Sequence, residues 1–169
     1  TLLGVVVGNF VEDLPKKEKK AKYIFLFIGD GMGFTHIAAT ESYLSYKEGK
    51  IGGERLLFST FPYCGNVSTY SANRNVTCSA ASGTAIACGE KTNNDMIGMN
   101  ADSVAIYSMA AALKEDGYKI GIITTAPVNH ATPSAFYAHN INRDNAYEIS
   151  CEIPASGFEF FAGAGFLKH

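Results

Sequence analysis

The sequence predicts an α/β fold built on a mostly parallel sheet with helices covering both faces. Two observations carry that expectation. Apolar runs of strand length alternate with helical patterns, and strands separated by helices pair in parallel. The 17 glycines cluster in turns after the apolar runs, where such folds need tight connections. With 169 residues the chain is long enough for one core-bearing domain.

The elements follow in order. Tyr23–Ile28 reads as a buried strand and Phe34–Lys47 as a helix. Gly65–Tyr70 reads as extended and leads into a helix of small residues over Ser79–Cys88. Ser103–Asp116 carries an apolar stripe of Met109, Ala110, Ala112 and Leu113, and Asp116-Gly117 ends that helix. Lys119–Thr125 reads as a second buried strand. A further helix starts near Thr132-Pro133, since proline is tolerated in a first turn. Phe158–Phe166 reads as another strand and turn entering a sheet, followed only by Leu167-Lys168-His169, so the chain is expected to be a fragment of a longer fold. Residues 1–21 read as a tail and 22–169 as part of a single domain, with no internal repeat or low-complexity segment.

Bulk composition excludes some partners. A net charge of −2 with 18% charged residues gives no basic field for nucleic acid and no acidic tail. The apolar run Thr1–Gly8 is far too short to span a bilayer. Followed by the charge run Lys16–Lys20, it is either the end of a signal peptide or a short edge strand. The four cysteines show neither C-x-x-C nor zinc-ribbon spacing, and a domain with its own core has little need of a disulfide framework. Cys64 and Cys88 are expected as buried free thiols.

Five residues stand out chemically. Asp30 follows an apolar strand between two glycines, so it either approaches a metal closely or caps the next helix. Ser79 opens the small-residue helix, where first-turn N–H groups and the helix dipole favour a phosphate; it is either a nucleophile or a plain N-cap. Arg143 can grip two phosphate oxygens through parallel N–H bonds, or it is a surface arginine after a helix. His130 and Thr132 precede Pro133; His130 is either a metal ligand or a loop histidine bonded to a carbonyl. His36 and His139 fall outside this set, His36 as an exposed or packed residue and His139 as a satisfied core residue on a helix.

Four segments in order resemble the alkaline phosphatase family: Gly29 to Gly33, Ser79 to Ala85, His130-Ala131-Thr132-Pro133, and Ala138-His139 leading to Arg143. The resemblance covers about residues 22 to 143, and more weakly Phe161 to Phe166. It implies a three-layer α/β/α sandwich and hydrolysis of phosphomonoesters, releasing inorganic phosphate through a phosphoserine intermediate. Ser79 would attack phosphorus and Arg143 would clamp the phosphate. Asp30, Ser79, His130 and Thr132 would be metal-binding positions. The family uses two catalytic zinc ions, bridged to a magnesium site by the aspartate at the Asp30 position. Thr132 would supply an oxygen to that third site. His130 stands where some members have aspartate, and its imidazole favours zinc or another transition metal over hard magnesium. The resemblance also implies a homodimeric, periplasmic or secreted enzyme.

Two departures limit what carries over. Cys78 stands where the family usually has an aspartate that helps hold the arginine, so Arg143 is expected to be less restrained. The remaining zinc ligands of the family lie later in its sequence, and nothing after Arg143 supplies them here. A phosphodiesterase or phosphomutase of the same superfamily, or a non-catalytic fragment that binds phosphate or a partner, therefore stays open. The sulfatase relatives are excluded, because Cys78-Ser79-Ala80-Ala81-Ser82 lacks their proline and arginine. A cysteine nucleophile at Cys78 has no Cys-His-Asn pattern around it.

Overall fold

A computed structural model describes residues 3–5 and 21–168. Its packing divides the chain into two compact units, Thr1–Val67 and Ser68–His169.

In the first unit, β1 (Leu3–Val5) pairs antiparallel with β2 (Phe27–Gly29), Gly4 opposite Ile28. Leu3–Val5 of the apolar start form β1, and the charge run Lys16–Lys20 lies outside the described residues. The predicted strand at Tyr23–Ile28 is shorter than expected, and its residues are not buried. Phe27 is 72% exposed, because the two-stranded sheet has no covering layer within this unit's described residues. A tight turn closed by Met32 N–H on the Gly29 carbonyl (3.3 Å) leads into α1 (Phe34–Lys47), whose bounds match the prediction. The N-cap of α1 is Gly33, whose N–H donates to His36 Nδ1 at 3.1 Å, and Asp30 lies in the turn before it. The segment after α1 folds back onto it. Glu41 Oε1 accepts the Leu56 N–H (3.0 Å), and that bond holds the Glu41 carboxyl below its ordinary range.

The second unit carries α2 (Ser79–Cys88), α3 (Met109–Glu115), β3 (Gly121–Ile123), α4 (Ala131–Ser134), α5 (Ala146–Ala155) and β4 (Phe160–Ala162). Strands β3 and β4 pair in parallel with Ile122 opposite Phe161, and the intervening helices make the crossover that parallel strands need. Parallel pairing is thus present between these two strands, while β1 and β2 run antiparallel. The core joins Ala80 of α2, Ile97, Ala131 of α4, Tyr137, Ala138 and Ile149 of α5, with Phe158 and Phe161 packed against them. Tyr137 meets Phe161 edge to face at 5.3 Å between ring centroids, and its hydroxyl donates to the Val128 carbonyl (2.8 Å). Burial pushes that phenol up to about 12.

Several expectations shift. Helix α3 starts at Met109 and not at Ser103, because Ser108 caps it: its Oγ accepts the Ala111 N–H (3.1 Å), and Ser103 sits in a turn with φ of 62°. Gly65–Tyr70 forms no strand, since no described segment pairs with it. Strand β3 is shorter than predicted, and Ile123 is exposed. Helix α4 is a single turn, and α5, with Pro154 near its end, has no counterpart in the sequence reading. Cys64 is exposed and not buried, Cys88 is half-buried, and all four cysteines are free. Burial pushes the Cys88 thiol up to about 11, with Glu90 adding to the shift.

Three outcomes follow from this packing. A Cβ at Gly98, where φ is 58°, would lie 2.1 Å from the Ala138 carbonyl oxygen. Urea unfolding should therefore show Gly98→Ala destabilised by about 3 kcal/mol, from left-handed strain plus overpacking. Glu159 accepts from Lys114 Nζ and from the Ile120 N–H (2.8 Å), which lowers its pKa. A depressed carboxylate stabilises the fold above its unfolded value and loses that contribution as pH falls through the folded one. Glu159→Gln should thus lower the urea midpoint at pH 7, with the gap to the unsubstituted chain closing in acid. Iodoacetamide labelling at pH 8, followed by mass spectrometry, should modify Cys88 more than about tenfold slower than the exposed Cys64 and Cys151.

Candidate functional site

Helix α2 begins at Ser79, but Ser79 is not its N-cap. That role falls to Cys78, which is extended (φ −95°, ψ 169°) and whose Sγ accepts the Ala81 N–H at 3.5 Å. The Ser82 hydroxyl turns back to the Cys78 carbonyl (2.8 Å). Ala80 and Ala81 are buried, so the first turn presents backbone and Ser79 with little side-chain bulk. Such an N-terminus offers N–H groups and a positive dipole end to an anion.

A loop wraps this helix start. The Asn94 side chain accepts the Cys78 N–H (3.1 Å) and donates to the Val76 carbonyl (3.1 Å). Asp95 donates its N–H to Cys78 Sγ (3.1 Å), and Gly98 donates to Thr84 Oγ1 (2.9 Å). The other edge of the loop faces the segment that carries the arginine. Ile97 and Asn140 exchange both backbone bonds (2.8 and 2.9 Å), and the Arg143 N–H donates to the Asp95 carbonyl (2.9 Å).

Helix α4 packs across α2 at Gly83, where an added Cβ would sit 3.3 Å from Ala135 Cβ and 3.5 Å from Thr132 Cα. His130 is the N-cap of α4, and its carbonyl accepts both the N–H (3.1 Å) and the hydroxyl (2.8 Å) of Ser134. The His130 ring faces the arginine: Arg143 Nη2 lies 3.1 Å from His130 Nε2. A guanidinium only donates, so Nε2 accepts and the ring proton of a neutral imidazole belongs on the buried Nδ1. Arg143 is half-buried, unlike a solvated surface arginine, and the His130 ring pairs with it.

A pocket of about 270 Å³ opens beside this pair, lined by His130, Arg143, Asp144, Leu167 and Lys168 among others. Lys168 is absent from the sequence reading. The β3–β4 register delivers it: Ala164 N–H bonds to the Ala126 carbonyl and Val128 N–H to the Gly165 carbonyl, both at 2.9 Å. The buried Asn129 side chain then grips both backbone groups of Leu167, accepting its N–H (2.7 Å) and donating to its carbonyl (3.2 Å). The available signal was a cation just beyond a glycine-rich strand end, where ligands collect in open α/β sheets.

Ser79, His130, Thr132 and Arg143 thus belong to one packed unit, while Asp30 lies in the turn after β2 of the other. His139 is not a core residue on a helix; it is exposed and bonded through Nδ1 to Glu152 Oε2 (3.1 Å). His36 is exposed and braces the start of α1. Among the described residues no three His, Cys, Asp or Glu side chains converge as a metal site, and His130 Nε2 is engaged by Arg143. The donors this chain brings together do not by themselves fit a zinc ion, which takes three or four protein ligands.

The start of α2 and the half-buried Arg143 are tied to one loop, since Asp95 bonds by its N–H to Cys78 and by its carbonyl to Arg143. The alkaline phosphatase family model matches residues 21–162, and the chain belongs to that family. Alkaline phosphatase 4 of Drosophila melanogaster is 38% identical over 152 residues, 85% of this chain and 25% of that protein. The cold-active alkaline phosphatase of a psychrophilic Shewanella superposes with a TM-score of 0.72 at 34% identity, covering 78% of this chain and 33% of that one. A variant of the alkaline phosphatase of the Antarctic bacterium TAB5, with a histidine changed to glutamate and Mg bound in its M3 site, gives 0.71 at 34% identity, covering 80% and 37%. The chain spans about a quarter to a third of the length of the curated relatives it matches.

Proposed function

We propose that this chain is the nucleophile-bearing part of an alkaline phosphatase, a phosphomonoesterase that works through a phosphoserine intermediate. The observation that carries the reading is the start of α2 at Ser79, with the capping role taken by Cys78 and Arg143 anchored to the same loop. Ser79 Oγ attacks phosphorus and the alcohol leaves; water then attacks the phosphoserine and releases inorganic phosphate. The first-turn N–H groups and the Arg143 guanidinium bind the phosphoryl oxygens, where charge builds in the transition state. To reach them, Arg143 exchanges its contact with His130 for the substrate.

Zinc and magnesium belong to this reading for the whole protein. Asp30, Ser79, His130 and Thr132 would each contribute to sites whose other ligands lie in the portion of the relatives that this chain does not span. The relative with Mg in its M3 site after a histidine-to-carboxylate change supports a third site at His130 that is less magnesium-selective than a carboxylate one. The three-layer α/β/α sandwich, a single catalytic domain, the homodimer and a periplasmic or secreted location are proposed on the same footing. The β3–β4 ladder would be part of the central parallel sheet.

The test is hydrolysis of p-nitrophenyl phosphate by this chain with zinc and magnesium, against Ser79→Ala and a chelator. Activity lost in both controls supports the reading. Activity that survives Ser79→Ala, or its absence from the folded chain even when the rest of the protein is supplied, contradicts it.

A further inference from the structure

We propose that Cys78 and Asp95 are positioning residues that fix the backbone of Arg143 against the start of α2; the catalytic meaning of this relay rests on the phosphatase reading above. Cys78 Sγ accepts two N–H groups, from Ala81 in the first turn of α2 (3.5 Å) and from Asp95 in the wrapping loop (3.1 Å). The Asp95 carbonyl accepts the Arg143 N–H at 2.9 Å. One residue therefore separates the sulfur beside Ser79 from the arginine backbone.

Asp95 holds this place in a left-handed conformation, with φ of 73°, which L residues adopt at a cost. That conformation presents its N–H to Cys78 and its carbonyl to Arg143. Its side chain is exposed, so the backbone makes the connection. The loop has little slack on either side, since Asn94 grips the Val76 and Cys78 backbone and Ile97 pairs with Asn140. A side chain at position 78 thus restrains the arginine without touching its guanidinium, which faces His130.

Amide hydrogen exchange on the whole chain, read residue by residue by NMR, tests this. Cys78→Ala should speed exchange at both Asp95 and Arg143 by about three- to tenfold, the range for losing one modest hydrogen bond. Amides of Tyr137 and Ala138, bonded elsewhere, should stay unchanged. Cys78→Ser, which keeps an acceptor, should restore most of the protection. Asp95→Gly should leave Arg143 protected, whereas Asp95→Val, β-branched at a positive φ, should expose it. Unchanged exchange at Arg143 in both Cys78→Ala and Asp95→Val overturns the relay, as does a rise spread evenly over the unit. The exchange readout needs neither phosphate nor metal. An inactive chain with the expected exchange pattern counts against the phosphatase reading alone, and an active chain with unchanged Arg143 exchange counts against the relay alone.

Discussion

The second unit hangs on the loop that runs from Asn94 to Gly98. Its inner edge bonds to the start and middle of α2 through Cys78 and Thr84, and its outer edge to Asn140 and Arg143. Ile97, fully buried at the centre of the loop, ties both edges to the core. Burying such a side chain contributes about 1.5–3 kcal/mol toward holding the loop in place. Gly98 is the point of closest approach, where a bare backbone fits under the Ala138 carbonyl. The loop thus ties α2 to the arginine segment by hydrogen bonds, alongside the direct packing of α4 across α2 at Gly83.

Ser79 and the cationic pocket are thereby set by different means. Ser79 is placed by the helix itself, which starts where Cys78 caps it. Arg143 lies in a turn with no regular structure of its own, and it depends on backbone bonds from elsewhere. The same division holds across the pocket, where Lys168 is delivered by the strand register and the Asn129 clamp. Positions on loops need more partners than positions on helices, and here those partners are mostly backbone groups.

The sequence was most legible where local chemistry decides. Helices α1 and α2 match their predicted bounds because a glycine or a small-residue run marks each start and Gly89 ends the second in a left-handed cap. It was least legible where tertiary partners decide. Tyr23–Ile28 has the pattern of a buried strand, yet its aromatic residues stand exposed, because burial depends on layers that the described residues of this unit do not provide. Helix α5 has no counterpart in the sequence reading, and it carries Pro154 near its C-terminal end. Among the candidate residues, motif order singles out Ser79 and Arg143. It does not reveal the His130–Arg143 contact or Lys168, since each depends on how distant segments meet.

The central claim is that α2 and Arg143 form one anion-binding unit within this chain. Titration of the isotope-labelled chain with inorganic phosphate, followed by amide and guanidinium NMR shifts, tests it most directly. The account predicts that Ala80, Ala81 and the Arg143 side chain shift together along one saturating curve, and that Arg143→Ala abolishes the shifts in α2. Shifts in α2 that persist unchanged in Arg143→Ala, or phosphate that perturbs neither, would contradict it.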